Sequence, residues 1–187
     1  TRLVINLAIR TNRVPTVWKI AKVIPIHKKG AKGDPRNYRP ILVLPSLSKI
    51  LEKAIHQQLM DHLEEQSLRT KYQFGYGPHR STNVAATLFV DNTRREVDCG
   101  NLVGAVFIDL CKAFDTLSHG TLLTKLPAYG IVGNELELFT DYLFQRQQVV
   151  NLGSSTSDLR PVCSGVPQGS ILGPLFFIIF YNDFVLQ

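Results

Sequence analysis

An unbroken apolar run near the middle of the chain, LVGAVFIDL from Leu102 to Leu110, constrains the fold more than any other stretch. Alternating apolar and polar residues are typical of a strand with one solvated face, whereas a continuous run predicts a strand covered on both faces. The run ends with a carboxylate, Asp109, and a second acid, Asp115, follows six positions later. The sequence therefore predicts a helix-covered sheet in which Asp109 closes one strand.

Apolar residues at helical spacing predict the elements before this strand. The segment SLSKILEKAIHQQLMDHLEEQ predicts a helix capped by Ser46 or Ser48, with His56 and His62 on its polar side. Its apolar face consists of Leu47, Ile50, Leu51, Ala54, Ile55, Leu59 and Leu63. A second helix is predicted to begin at Ser81. The residues expected to face inward from it are Val84, Ala85, Leu88 and Phe89.

The second half of the chain also mixes helices and strands. We predict a helix between Gly120 and Tyr129, and another from Asn134 with Glu137 as a capping-box partner. The latter is expected to bury Leu136, Phe139 and Leu143. QVVNL and LRPVC predict a strand pair, and the turn SGVPQGS leads into a final apolar helix with Ser170 as a possible cap. Because strands and helices do not strictly alternate, the fold class is α+β.

Charge and composition narrow the partner and the compartment. The formal net charge of +6 favours a polyanionic partner. Cys99, Cys111 and Cys163 lack metal-ligand spacing and predict free thiols in an intracellular, nuclear or cytoplasmic, setting. The apolar segment ILGPLFFIIF has about half of the ~20 residues that a membrane span needs, so no membrane partner is expected. The missing initiator Met predicts a fragment of a longer protein.

Asp109 needs a chemical explanation, since a buried carboxylate is costly without solvent, a hydrogen bond or a metal ion. One interpretation is a hydrogen-bonded strand end or a helix cap. The other is a ligand for Mg²⁺, which prefers oxygen donors, commonly one or two carboxylates together with substrate phosphates. Paired metal ions activate a hydroxyl and stabilise the leaving oxygen in phosphoryl transfer. The residues alone leave both interpretations open.

Four blocks in order carry a resemblance to a known family. FIDLCKAFD resembles the first catalytic motif of reverse transcriptases, and WKIAKVIPIHKKG with NYRPILVLPSLSKILEK resembles the fingers of the non-LTR, LINE-type enzymes. QFGYGPHRST is similar to the next block of that family, and SGVPQGSILGPLFF to its Pro-Gln-Gly block. The resemblance implies a right-hand polymerase domain, with fingers over about 14–100 and a partial palm over about 101–187. It also implies an RNA template, a DNA primer, a deoxynucleoside triphosphate and two Mg²⁺ ions, with Mn²⁺ as an alternative.

The resemblance implies roles for residues around the first motif. Asp109 is the expected catalytic metal ligand, with the backbone carbonyl of Leu110 as a second oxygen on the same ion. Phe114 is expected beneath the incoming sugar, where its ring excludes a 2′-hydroxyl, although a core aromatic is the plainer interpretation. Gln168 and Gly169 are expected beside the nascent base pair and template. We interpret Asp115 as a local hydrogen-bonding or capping residue rather than a ligand.

Basic residues supply the expected triphosphate contacts. The loop from His27 to Arg39 is rich in cations, which by itself indicates a solvated loop or a phosphate-binding segment. The resemblance favours Arg39, with Lys28 and Lys29 as further candidates, and Arg80 as a contact to nucleotide or template phosphates. These cations do not form a Walker loop.

Gly77 departs from the family, because a basic residue, usually Arg, is common at this position. The departure indicates either compensation by Arg80 or His79, or decay of an element that no longer copies itself.

The second catalytic motif of the family, aromatic-Ala-Asp-Asp, does not occur in these 187 residues. Tyr181, Asn182, Asp183 and Phe184 offer one acid and lie too close to the Pro-Gln-Gly block, so Asp183 is assigned to the helix end. We therefore expect the remainder of the palm and the thumb to lie elsewhere, and this chain alone to show no primer extension. The alternatives are an inactive nucleic-acid-binding relic and a related palm polymerase such as a group II intron maturase. No Gly-x-Ser-x-Gly elbow supports a hydrolase.

Overall fold

The computed structural model describes residues 2–77 and 80–185, the last of them by its backbone alone. The helices are α1 (Arg2–Thr11), α2 (Ser46–Glu65), α3 (Thr82–Asp98), α4 (His119–Lys125), α5 (Gly133–Leu143) and α6 (Leu172–Tyr181). The strands are β1 (Ile20–His27), β2 (Tyr38–Val43), β3 (Gln147–Leu152), β4 (Ser155–Thr156) and β5 (Arg160–Pro161). Short 3₁₀ turns cover Thr16–Lys19, Pro35–Asn37, Leu126–Tyr129 and Asn182–Val185.

The sheet is mostly antiparallel, and the α+β class is confirmed. Its strand order is β2-β1-β3-β4, with β5 paired to β3. β1 and β2 form an antiparallel hairpin in which Ile26 lies opposite Arg39. The predicted pairing of QVVNL with LRPVC is confirmed by the antiparallel contact of β3 with β5. The parallel contact of β1 with β3 joins segments more than a hundred residues apart and was not predicted.

Helix α2 is confirmed, and its buried side is narrower than the sequence predicts. Leu51 and Leu63 are buried in the core, whereas Leu47 and Ile50 are exposed because no described element covers the first turn on that side. The predicted serine cap is wrong: α2 follows Pro45, and Ser48 Oγ donates to the Pro45 carbonyl at 2.7 Å.

His56 and His62 were both predicted on the polar side of α2, and both are half-buried. His62 Nε2 lies 2.8 Å from the Tyr129 carbonyl oxygen. The Tyr129 carbonyl therefore gives this side chain a neighbour that the helical pattern did not show.

The core lies where α2, α4, α5 and α6 meet. Phe176 of α6 is fully buried and its ring meets Phe139 of α5 edge-on at 5.4 Å between centroids. The predicted helix between Gly120 and Tyr129 is confirmed as α4 and the 3₁₀ turn after it. The predicted helix of α5 is confirmed, but its capping box is wrong, because Glu137 instead accepts a hydrogen bond from Asn12 Nδ2 at 3.1 Å.

Helix α3 begins where the sequence predicts but does not bury the predicted face. Ser81 Oγ accepts a hydrogen bond from Val84 N–H at 3.3 Å, which caps the helix. No residue of α3 is buried, and Leu88 and Phe89 are both exposed. The Phe89 ring contacts only one other aromatic ring in the described chain, that of Phe107, at 5.7 Å. The apolar spacing therefore predicted the helix correctly and its burial wrongly.

The strand predicted over Leu102–Leu110 is absent. This segment is irregular and exposed, and within the described part of the chain its backbone makes no hydrogen bond to another segment. A strand requires a hydrogen-bonded neighbour, and hydrophobicity alone does not provide one. No described helix is both long and apolar enough to cross a bilayer.

Candidate functional site

Asp109 is solvent-exposed, not buried at a strand end. It lies on the irregular segment beside Leu110, which is also exposed. In the ranges 2–77 and 80–185, no group of three or more His, Cys, Asp and Glu side chains is arranged to hold a metal ion. Asp109 therefore offers an accessible carboxylate, and no second or third carboxylate, histidine or cysteine of the described residues is arranged with it as a metal-binding group.

Directly after Asp109, the chain is clasped to the Pro-Gln-Gly turn. We call residues 111–117 the first turn and residues 163–170 the second turn. Val166 N–H donates to the Phe114 carbonyl at 2.8 Å, and Gly165 N–H donates to the Leu117 carbonyl at 2.7 Å. Ser164 Oγ donates to the Asp115 carbonyl at 3.2 Å. These bonds hold two segments together that lie about fifty residues apart in the sequence.

Gly165 is what permits this close approach. Its φ is +78°, in the left-handed region that favours glycine. A Cβ atom at this position would lie 2.7 Å from the Asp115 carbonyl oxygen and 2.8 Å from that of Phe114. Any side chain here would therefore push the two turns apart.

Phe114 is held between two other aromatic rings. It is half-buried, and its ring stacks on Phe177 of α6 at 4.8 Å between centroids. The Tyr76 ring meets it edge-on at 5.9 Å. Both arrangements are favourable for aromatic pairs, so the orientation of the Phe114 ring is well defined.

A cavity of about 330 Å³ lies between the two turns. Its lining residues are Tyr76, Lys112, Ala113, Phe114, Pro167, Gln168, Gly169 and Pro174. Phe114, Gln168 and Gly169, which the resemblance placed at the nucleotide site, thus line the same cavity. Tyr76 and Lys112 were missed. Both residues have φ near +50°, a left-handed turn conformation. Tyrosine and lysine are not typical of this conformation, so the sequence did not indicate a turn at either position.

Asp115 makes a hydrogen bond, as the sequence predicts, but not a local one. Gln168 Nε2 donates to Asp115 Oδ1 at 2.7 Å, across 53 positions of sequence. The two turns are therefore joined by a side-chain hydrogen bond in addition to their backbone hydrogen bonds.

A buried carboxylate supports the second turn from behind. Glu52 of α2 is 1% exposed and accepts hydrogen bonds from Tyr142 Oη at 3.1 Å and from Ile171 N–H at 2.7 Å. Burial raises the pKa of Glu52, which the two hydrogen bonds only partly offset. Sequence reasoning missed this residue, because a glutamate on a helix is usually solvated. Ser170 Oγ accepts from Gly173 N–H at 2.9 Å, consistent with its predicted capping role.

The basic hairpin lies away from the Phe114 cavity. Arg39 is exposed on β2, and Lys28 and Lys29 are exposed in the loop between β1 and β2. None of the three lines the cavity, although the Leu42 carbonyl of β2 lies 3.1 Å from the position of a Cβ on Gly169. The structure thus places the hairpin next to the second turn without bringing its cations to the cavity.

Arg80 braces a loop in the structure. Its Nη1 donates to the carbonyls of Thr70 at 2.7 Å and Gln73 at 2.9 Å. The loop it holds leads to Tyr76, which lines the cavity. His79, offered above as a compensating cation, lies outside the described residues.

The space beside Gly77 is filled by another guanidinium. Arg69 is buried, and a Cβ atom on Gly77 would lie 2.2 Å from Arg69 Nη2. Arg69 pairs with Glu64, and burial lowers the pKa of the guanidinium. A basic side chain at position 77 is thus sterically incompatible with this position of Arg69.

Comparison with known proteins gives a consistent result. The family model described as reverse transcriptase (RNA-dependent DNA polymerase) matches residues 26–187. The chain is 35% identical to a Drosophila melanogaster protein named as a probable RNA-directed DNA polymerase from transposon BS. It is 32% identical to the RNA-directed DNA polymerase from mobile element jockey of the same organism. Each match covers 97% of this chain and 20% of the relative. A Pol polyprotein of the retrotransposable element R1 from Bradysia coprophila is 33% identical, over 92% of this chain and 17% of its own length.

Proposed function

Because the chain belongs to the reverse transcriptase family, we propose that it forms the nucleotide-binding part of an RNA-directed DNA polymerase of a non-LTR retrotransposon. In the reaction, a primer 3′-hydroxyl attacks the α-phosphorus of a deoxynucleoside triphosphate opposite an RNA template, and pyrophosphate leaves. The observation that carries the proposal is the clasp of the two turns, which gathers Phe114, Gln168 and Gly169 around one cavity directly after Asp109.

We assign residues from about 14 to 100 to the fingers and from about 101 to 187 to part of the palm. The chain spans about a fifth of the relatives that it matches, and we propose that the remainder of such a protein supplies the rest of the palm and the thumb. The exposed apolar segment from Leu102 to Leu110 is a suitable partner for strands supplied by that remainder. Such pairing would satisfy its backbone and cover Phe107 and Ile108.

Each residue of the site has a role in this proposal. The Phe114 ring, fixed by Phe177 and Tyr76, forms the floor under the sugar and leaves no room for a 2′-hydroxyl. Gln168 and Gly169 face the base pair from the second turn. Arg39, Lys28, Lys29 and Arg80 provide the positive charge for the triphosphate, and the hairpin has to move toward the cavity for its three cations to reach it.

The oxygen donors of Asp109 and Leu110 fit one part of a metal site, whose other ligands would come from the substrate and from other residues. Asp109 and Leu110 are exposed residues that offer a carboxylate and a backbone carbonyl, the donor type that Mg²⁺ prefers, and this ion commonly completes its shell with substrate phosphates. When bound, two Mg²⁺ ions supply activation of the primer hydroxyl and charge stabilisation at the leaving oxygen. Mn²⁺ has the same donor preference.

The test measures whether a matched nucleotide strengthens binding of the chain to a primer–template. A DNA primer with a dideoxy 3′-end is annealed to an RNA template, and its dissociation constant is measured by fluorescence anisotropy with and without Mg²⁺ and the matched deoxynucleotide. We expect the matched nucleotide to tighten binding about tenfold. Asp109→Asn is expected to abolish this effect, while Asp98→Asn, at the exposed end of α3, retains it.

Two results contradict the proposal. Binding that falls steeply with salt but ignores the nucleotide and Asp109→Asn would indicate the nucleic-acid-binding relic instead. Absence of primer–template binding at low salt would exclude both functions for this chain.

A further inference from the structure

Asp115 has a function beyond joining the two turns. It lies next to Phe114 in the chain and is exposed, yet its carboxylate is engaged by Gln168 Nε2 at 2.7 Å. The distance lies at the short end of the range for N–H···O hydrogen bonds. This places a carboxylate directly against the one amide side chain among the described residues that line the cavity.

The backbone fixes the geometry of this pair. The Phe114 and Asp115 carbonyls accept bonds from Val166 N–H and Ser164 Oγ, one residue to either side of Gly165. These bonds set the spacing of the two turns and so place the Asp115 and Gln168 side chains opposite one another. The backbone of the clasp therefore determines the geometry of the side-chain hydrogen bond.

The chemistry of the pair determines which end of the amide faces the cavity. A carboxylate only accepts hydrogen bonds, whereas a glutamine amide has an acceptor oxygen and a donor nitrogen that are free to exchange places by rotation. Asp115 selects the orientation in which the nitrogen points toward Oδ1. Gln168 Oε1 is then turned away from Asp115, and Gln168 lines the cavity that Phe114 and Gly169 share.

We propose that Asp115 is a positioning residue that orients the Gln168 amide so that Oε1 is presented to a hydrogen-bond donor of the incoming nucleotide. The inference rests on the proposed function, because it concerns the same cavity. It assigns to Asp115 an effect on nucleotide binding that is transmitted through Gln168 and that a helix cap would not have. The nucleotide group concerned is a hydroxyl or an amino N–H, since Oε1 can only accept.

Two variants separate orientation from simple loss of a contact. Asp115→Asn keeps the contact, but its amide can accept from Gln168 Nε2 or donate to Oε1, so it no longer selects one orientation and the nucleotide tightening should fall about twofold. Asp115→Leu has similar size and no acceptor, so the tightening should fall about tenfold while primer–template binding without nucleotide stays unchanged. Asp158→Leu, at an exposed aspartate that does not line the cavity, is the matched control and should behave as the wild type.

A spectroscopic readout reports the orientation without any nucleotide. In ¹⁵N-labelled chain, the Gln168 side-chain amide signals, assigned by their loss in Gln168→Leu, should show one downfield, exchange-protected proton in the wild type and a proton of intermediate shift and protection in Asp115→Asn. In Asp115→Leu both protons should move to the positions of solvated glutamine. Thermal unfolding of each variant checks that the fold is intact.

The outcomes distinguish the two proposals. If the wild type tightens with nucleotide and Asp115→Leu tightens equally, Asp115 does not position Gln168 for binding and the inference is wrong, while the proposed function stands. If the Gln168 amide shows no protected proton in the wild type, the inference is likewise wrong. If the wild type does not respond to nucleotide at all, the proposed function fails and the inference fails with it.

Discussion

The space beside Gly77 allows a sharp test of whether the Arg69 guanidinium excludes a side chain at this position. Gly77→Ala would place a Cβ atom 2.2 Å from Arg69 Nη2, 2.5 Å from Nη1 and 2.7 Å from Cζ. Gly77 does not have a positive φ, so alanine adds no special backbone strain. The three atoms nearest to this Cβ position all belong to the Arg69 guanidinium, so we expect the loss of stability to come from moving that group.

The magnitude follows from what the guanidinium contacts. The Arg69 side chain is 1% exposed and pairs with Glu64, which is 40% exposed, and its Nη2 lies 3.5 Å from the Gln73 carbonyl oxygen. Weakening a hydrogen bond to a charged group costs about 1.5–3 kcal/mol, and the half-exposed partner places this case toward the lower end, at about 2 kcal/mol. For a chain of this size the melting temperature should fall by about 4–8 °C.

Urea unfolding of four variants tests this reasoning. Gly75→Ala is the control, because Gly75 lies in the same loop and has no atom within 4 Å of its Cβ position. We expect it to change the free energy of unfolding by less than about 0.5 kcal/mol. In an Arg69→Leu background the cost of Gly77→Ala should largely disappear, giving a coupling energy of about 2 kcal/mol. An equal cost in both backgrounds, or a cost no larger than that of Gly75→Ala, would refute the steric argument.

Three further predictions concern pH and salt. Burial raises the pKa of Glu52, so the stability that its proton provides is lost as the pH rises through the folded-state value. Glu52→Gln should therefore flatten the decline in unfolding free energy above pH 4.5, the ordinary pKa of the group, and an unchanged decline would contradict this. Burial acts to raise the pKa of Asp141, but its bonds to Val14 N–H and Lys19 hold it below the ordinary value, so the stability it provides is lost as the pH falls. Asp141→Asn should cost about 3 kcal/mol at neutral pH in urea unfolding, because Lys19 is left buried without its partner, and should remove that loss in acid. Replacing Lys28 and Lys29 by Ala should reduce the slope of log affinity for the primer–template against log salt by about 1.5, whereas an unchanged slope would show that neither lysine meets a phosphate.

Local patterns in the sequence determined most of the helices and the family. Periodicity located α2 and the start of α3, and the ordered blocks around Arg39, Asp109 and Gln168 pointed to a reverse transcriptase. These features depend on residues near one another in the chain. Helical spacing, caps and turn residues act over a few positions, so the sequence reports them directly.

Only the tertiary structure decided what is buried and which side chains meet. The apolar run that ends at Asp109 and the apolar side of α3 are exposed, because burial requires a neighbouring element that hydrophobicity does not supply. Glu52 holds Ile171 N–H across 119 positions, and Asp115 holds Gln168 across 53. Arg69 occupies the space beside Gly77 through the path of the loop between them. Contacts between distant segments depend on how the whole chain packs, and for this reason the clasp, the cavity and the Asp115–Gln168 pair could not be predicted from the sequence.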